Sequence, residues 1–185
     1  NHEELSLKVG KKLSPMSLGE LGNAILVAPN MLDSFAIASN FTSLHATYME
    51  LKLIANSSGL TITFIEKVDL GATQQFQIEV LFLLVQNILE ALTGTQFTDG
   101  EFRFPYGSPA NVKLYENYFR SPASFGQKHA SIQIPKLYSE IQSPFHDSVA
   151  WKGYQDKFTA QLNQLFEAKD KPFTKHVNDF LRASP

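Results

Sequence analysis

The sequence predicts an α+β domain in which an antiparallel sheet of about four strands packs with helices, followed by amphipathic helices at the C-terminal end. Two observations predict this class. The spacing of apolar residues changes from a helical period to strict alternation between residues 45 and 49, and returns to a helical period near residue 73. One pair of strand patterns forms a hairpin, and further strands follow a long apolar helix, which indicates α+β rather than a parallel α/β sheet.

Composition limits the classes of function that this chain can have. Its 185 residues predict one domain with an appended element, and 43% hydrophobic with 18% charged residues excludes disorder. A net charge of −2 argues against a nucleic-acid-binding surface. The absence of cysteine excludes disulfides, thiolate nucleophiles and Cys-ligated metals. The longest apolar run, residues 80–85, is far shorter than the roughly 20 residues of a membrane span, so we expect a cytoplasmic protein without a membrane partner.

The first 45 residues predict a helical hairpin. Ser17 and Glu20 have the spacing of a capping box, so a short helix is expected from there to Ala28, where Pro29 stops it. A second helix is expected over 31–45, because its apolar residues recur at helical spacing.

A β-hairpin and a core helix follow. Apolar and polar residues alternate over 48–55 and again over 60–65, and the residues between them, Asn56-Ser57-Ser58-Gly59, have turn chemistry. The next helix, 73–92, is apolar on most sides and ends at Gly94, so it is expected to form the centre of the core.

The last third predicts two more strands and three more helices. The strands are 101–106 and 131–134, and a helix between them begins at Ser108-Pro109 and runs to about 119. A long amphipathic helix covers 147–168, and a short one covers 173–181. The long helix carries an apolar stripe, which we predict either docks on the domain's own sheet or forms a dimer interface: Trp151, Tyr154, Phe158, Leu162 and Leu165.

No catalytic or metal-binding motif is present in the sequence. The serine-hydrolase, phosphate-loop, dinucleotide-binding and zinc-protease patterns are absent, and no two histidines have a metal-binding spacing. Asp147, next to His146, is best explained as a helix cap. Arg103, between two phenylalanines in a strand, lies either on the outer face of the sheet or in a pocket, where it would bind a carboxylate. We therefore expect neither an enzyme nor a cofactor.

Several segments together resemble one group of bacterial regulators. The opening LSLKVG (5–10) and SLGELGNA (17–24), the helix end LEALTG (89–94), and the segment FPYGSP (104–109) occur in an order and spacing similar to the N-terminal, arabinose-binding-type domain of AraC/XylS-type transcriptional regulators. Further similar positions are Tyr115, Phe119, Pro122 and Phe125-Gly126. Members of that group commonly have His at the position of Tyr106.

The resemblance implies a regulatory domain over 1–145 that binds a small-molecule effector, a carboxylate or an amino acid among the candidates. It also implies a linker and dimerisation segment over 146–185, leading to a helix-turn-helix domain that is absent from this sequence, so that DNA would be a partner only through that domain. A homodimer is expected. The alternative is a stand-alone binding module. Effector-binding candidates are the polar and aromatic residues that flank the sheet: His45, Tyr48, Arg103, Tyr106, Tyr115 and Trp151.

Overall fold

A computed structural model describes residues 4–45, 48–139 and 141–169, and it confirms the α+β class. The predicted helix over 173–181 lies outside the described residues. The helices are α1 (Leu5–Lys12), α2 (Glu20–Val27), α3 (Met31–His45), α4 (Gln74–Thr93), α5 (Val112–Glu116), α6 (Lys136–Ser139) and α7 (Ser148–Lys169). The strands are β1 (Met49–Asn56), β2 (Gly59–Glu66), β3 (Glu101–Arg103), β4 (Ala123–Ser124) and β5 (Ala130–Pro135).

The strands form one sheet in the order β1-β2-β5-β3-β4. All neighbouring pairs are antiparallel except β3 and β4, which are parallel. The register aligns Phe102 with Ile132 and Ile132 with Ile62, and these three side chains are buried on one face. The hairpin between β1 and β2 is confirmed, with the Asn56 side chain accepting bonds from the amides of Ser58 and Gly59.

The core helix α4 covers the buried face of the sheet. The ring of Phe82 lies 4.9–5.6 Å, centroid to centroid, from those of Phe64, Phe102 and Phe104. The segment Gly71–Thr93, which includes α4, is long and apolar enough by composition to cross a membrane, yet 56% of its most apolar window is buried inside the domain. It therefore serves as a core helix, as its apolar pattern predicted.

The N-terminal segment differs from the sequence prediction in two ways. The helix α1 was not predicted; it packs on α4, where Asn87 donates bonds to the carbonyls of Gly10 and Leu13. The predicted capping box of Ser17 and Glu20 is wrong, because the Ser17 hydroxyl accepts a bond from the amide of Ser14 across a short 3₁₀ turn. The following helix, α2, begins without a side-chain cap.

Three predictions in the last third need correction. Strand 101–106 ends at Arg103, two residues before Pro105, which has no amide to donate. The helix expected from Pro109 begins only after Asn111, whose backbone is not helical, and it has five residues. The sheet has five strands rather than about four, because two residues, Ala123 and Ser124, form β4. A two-residue strand is too short to produce alternation.

The long helix α7 is confirmed, and it begins where Asp147 caps it. The Asp147 carboxylate accepts bonds from the amides of Val149 and Ala150, both at 2.9 Å. The described residues of the α7 stripe pack mainly on α2 and α3 rather than on the sheet, and Phe158 is 2% exposed. Lys157 also pairs with Glu20 of α2 at 2.6 Å.

Candidate functional site

An apolar cavity of about 260 Å³ lies between the helical layer and the hairpin. Its walls come from α2, α3, α4 and the β1–β2 pair, with Leu18 and Tyr48 added from the connecting segments. The residues that line it are Leu18, Leu21, Ile25, Phe35, Ala38, Phe41, Thr42, Tyr48, Met49, Leu51, Phe64, Leu81, Leu84, Val85 and Ile88.

Tyr48 connects this cavity with a second hollow on the surface. The hollow has a volume of about 370 Å³, and Tyr48 and Leu81 line both spaces. Phe76 and Tyr48 are each 41% exposed there. Tyr48 therefore lies at the boundary between the cavity and solvent. Among the predicted effector residues whose side chains the structure describes, Tyr48 alone lines the cavity.

Arg103 lies on the outer face of the sheet, the first of the two positions considered from the sequence. Its guanidinium bonds to the Glu101 carboxylate at 2.6 and 2.8 Å and to the Gln133 side chain at 2.7 Å. The hydrogen bond from Arg103 holds the pKa of Glu101 below its usual value. Because these partners already occupy the guanidinium, and because Arg103 does not line the cavity, the geometry does not support a carboxylate pocket there.

Tyr106 and Tyr115 come together at a residue that the sequence analysis missed, Glu79. The Glu79 side chain is fully buried in α4. Its carboxylate accepts hydrogen bonds from the hydroxyls of Ser6, Tyr115 and Tyr106, the last at 3.1 Å. It also accepts one from the side-chain amide of Gln75 at 2.9 Å. This polar cluster ties α1, α4 and the segment after β3 to one another.

The environment of the two tyrosines is strongly biased toward their neutral form. The pKa of both the Tyr106 and the Tyr115 hydroxyl is raised well above the usual value. Burial is the largest cause, and the neighbouring Glu79 carboxylate is the second. A neutral hydroxyl keeps its proton and remains a donor to Glu79. The cluster thus stabilises the packing of these core elements through hydrogen bonds. Neither tyrosine lines the apolar cavity.

The remaining candidates lie around α3. His45 is the last residue of α3, and its side chain lies outside the described part of the structure, as does that of Leu165. Trp151 lines a smaller cavity of about 150 Å³ between α3 and α7, together with Phe158 and Leu162. Trp151, Tyr154 and Leu162 are half-buried. Within the described residues, no group of three or more His, Asp or Glu side chains could hold a metal ion.

Residues 1–140 match the family model described as the arabinose-binding domain of AraC transcription regulators, N-terminal. The match covers α1 to α6, the whole sheet and every wall of the cavity, and it ends before α7. The chain belongs to this family. The resemblance inferred from the short sequence segments is therefore confirmed.

Two relatives from Pseudomonas aeruginosa extend the comparison. An ornithine utilization regulator is 27% identical over 136 residues, which is 74% of this chain and 40% of the relative. The crystal structure of the transcriptional regulator CdpR matches 86% of this chain and 53% of that chain, with 14% identity and a TM-score of 0.68. The CdpR likeness supports the fold alone. The chain thus spans about half or less of the length of these relatives.

Proposed function

We propose that this arabinose-binding-type domain binds a small-molecule effector and thereby controls DNA binding by an AraC-type helix-turn-helix domain of the same regulator. Residues 1–145 hold the effector, and residues 146–185 connect this part to the DNA-binding domain and contribute to dimerisation. The observation that carries the proposal is the apolar cavity. Concave, mostly apolar pockets with a few polar groups are typical of small-molecule sites.

The helix α3 lines the cavity and also packs against α7. A ligand bound in the cavity would therefore affect the DNA-binding domain through α3 and α7. Phe41 lines the cavity, and its ring contacts that of Phe158 in α7. An effector shifts the balance between two arrangements only by its difference in affinity for them. A ligand that moves Phe41 meets this condition, because the docking of α7 depends on the position of that ring.

The homodimer remains part of the proposal, with α7 as its interface. Phe158 is buried inside the domain, whereas Trp151 and Tyr154 keep part of their surface uncovered, and a second copy would bury that part. Sedimentation of Trp151→Ala at low micromolar concentration tests this: we expect a shift toward monomer. A distribution equal to that of the unsubstituted chain would remove Trp151 from the interface.

We also propose that the domain acts by binding rather than catalysis and works in the cytoplasm. The relative that matches in sequence is named as an ornithine utilization regulator, which supports a non-catalytic role. The apolar segment around α4 is mostly buried in the domain, which supports a protein free of the membrane.

A reporter experiment tests the proposed function. Residues 1–185 are joined to the DNA-binding domain of an AraC-type regulator of known operator, and reporter expression is measured against a library of metabolites. We expect at least one compound to change expression. Ala38→Leu, which adds carbon atoms inside the cavity, should remove the response, whereas Ala160→Leu, on an exposed face of α7, should keep it. A response that survives Ala38→Leu would contradict the proposed site.

A further inference from the structure

The cavity walls define the chemistry of their ligand more narrowly than the family does. Among the described residues that line the cavity, all are apolar except Thr42 and Tyr48, and none is charged. The hydroxyl of Thr42 already donates to the carbonyl of Ala38 at 2.7 Å. The Tyr48 hydroxyl, at the boundary with solvent, is thus the polar group best placed to bond a ligand.

A charged ligand would find no compensation from these walls. Moving a carboxylate or an ammonium group out of water is costly unless an opposite charge or several hydrogen bonds receive it. Glu79 and Arg103, the two charged candidates considered above, have their partners outside the cavity. Glu79 accepts hydrogen bonds from four donors, and Arg103 pairs with Glu101 on the outer face of the sheet.

The volume of the cavity fits a compact organic molecule. A dry cavity of about 150 Å³ is enough to bind benzene in a well-studied case. At about 260 Å³, this cavity has room for a fused pair of aromatic rings or an aliphatic chain of similar bulk.

We propose that the effector is a neutral, largely apolar molecule of about this size, held between Ala38 of α3 and Val85 of α4, with one polar group at Tyr48. This inference rests on the proposed function and specifies its ligand class. It disfavours the carboxylate or amino acid considered from the sequence.

Two probes that differ in charge test the inference on the chain itself. At pH 7 the molecule 2-naphthol is neutral, whereas 2-naphthoate has the same two rings and carries a negative charge. Binding of each is measured by calorimetry to the unsubstituted chain, to Ala38→Leu and to the control Ala160→Leu. We expect 2-naphthol to bind and 2-naphthoate to bind at least about 100-fold more weakly, as the loss of hydration at the carboxylate requires. Ala38→Leu should weaken 2-naphthol at least about tenfold by occupying its space, and Ala160→Leu should have no effect.

Each other outcome overturns a stated part of the inference. Equal or tighter binding of 2-naphthoate would overturn the neutral ligand class. If His45→Ala then abolished the binding of 2-naphthoate, His45 would be identified as the group that receives the carboxylate. Binding of 2-naphthol that is unaffected by Ala38→Leu would overturn the location, and no binding of 2-naphthol would overturn the cavity as a site for such rings. None of these binding results depends on a DNA-binding domain. The reporter experiment is therefore a separate test, and a reporter that responds to no compound would contradict the proposed function rather than this ligand class.

Discussion

Phe41 of α3 and Phe158 of α7 meet edge to face, with ring centroids 5.1 Å apart and ring planes inclined by 64°. Edge-to-face contact is one of the two arrangements that aromatic pairs favour, the other being offset stacking. Tyr154 adds a second ring 6.0 Å from Phe158 on the same helix. Because Phe41 also lines the cavity, one side chain is shared between the space for a ligand and the docking of α7.

Removal of the Phe158 ring should therefore release α7 from the domain. Phe158 is 2% exposed, and truncation of a buried Phe to Ala typically costs about 3–5 kcal/mol of unfolding free energy. We expect Phe158→Ala to lower the free energy of unfolding in urea by about 3 kcal/mol and to speed amide hydrogen exchange in α7. The matched control is Phe145→Ala, which removes a ring that is 53% exposed and should cost less than about 0.5 kcal/mol. Equal effects of the two substitutions would contradict the docking argument.

The Glu79 cluster predicts a loss of stability in alkaline solution. Burial, followed by the effect of Glu79, raises the pKa of the Tyr106 and Tyr115 hydroxyls in the folded chain above the ordinary 10.0. Above pH 10 the unfolded chain loses these protons while the folded chain retains them. The free energy of unfolding should then fall by up to about 1.4 kcal/mol per pH unit for each tyrosine, whereas these groups contribute no slope below pH 9.

The contribution of Tyr115 is measured by substitution. Tyr115→Phe keeps the ring that packs on Phe104 and Phe119 but removes the hydroxyl. Urea denaturation between pH 9 and 11 should show a slope smaller than that of the unsubstituted chain by up to about 1.4 kcal/mol per pH unit. Titrating groups away from the cluster are common to both proteins and cancel in the difference, and the pKa of Tyr106 is still raised by burial and by Glu79 in Tyr115→Phe. Parallel slopes would show that Tyr115 does not hold its proton more strongly when folded.

The parts of the fold that were predicted correctly depend on local patterns. The hairpin follows from alternation on both sides of Asn56–Gly59, and α4 follows from its apolar faces and Gly94, whose φ is 68°. The helix α1 was missed because Leu5, Leu7 and Val9 alternate with polar residues as in a strand. It is helical because it packs on α4, where a Cβ on Gly10 would lie 2.8 Å from the Cβ of Leu83. Tertiary contact thus overrides the local pattern.

The site was less accessible to sequence reasoning than the fold. Glu79 is one of two acidic residues in the apolar helix α4, and its partners Ser6 and Tyr115 lie 73 and 36 residues away. The signal that was available is its spacing of three and four residues from Phe82 and Leu83, which lie on the same side of the helix and are buried. The cavity is lined by residues such as Ala38 and Val85 that differ in no way from core residues. Only the three-dimensional packing shows that they leave a space.

Arg103 should matter little for ligand binding. Its side chain is 36% exposed and pairs with Glu101 at the surface of the sheet, and exposed pairs contribute about 0–1 kcal/mol. We expect Arg103→Ala to leave the affinity for 2-naphthol unchanged and to lower the free energy of unfolding by less than about 1 kcal/mol. Calorimetry and urea denaturation on one sample measure both quantities. A loss of affinity would place Arg103 in the site after all.

Two glycines in helices give opposite predictions for the same substitution. At Gly22 in α2 an added Cβ would lie 1.8 Å from the carbonyl oxygen of Pro15, an approach that requires the 3₁₀ turn before α2 to move. At Gly153 in α7 an added Cβ meets nothing within 4 Å. We expect Gly22→Ala to lower the free energy of unfolding by about 2 kcal/mol or more, since overpacking typically costs about 1–3 kcal/mol and backbone yields poorly.

Gly153→Ala should instead raise the free energy of unfolding by about 0.5–1 kcal/mol, because alanine restricts the unfolded chain and favours the helix. The pair separates steric contact from helix propensity, since propensity alone predicts stabilisation at both positions. Leu21 and Ile25 of α2 line the cavity, so a displaced α2 should also weaken binding of 2-naphthol in Gly22→Ala and leave it unchanged in Gly153→Ala. Stabilisation by Gly22→Ala would show that α2 does not approach Pro15 this closely.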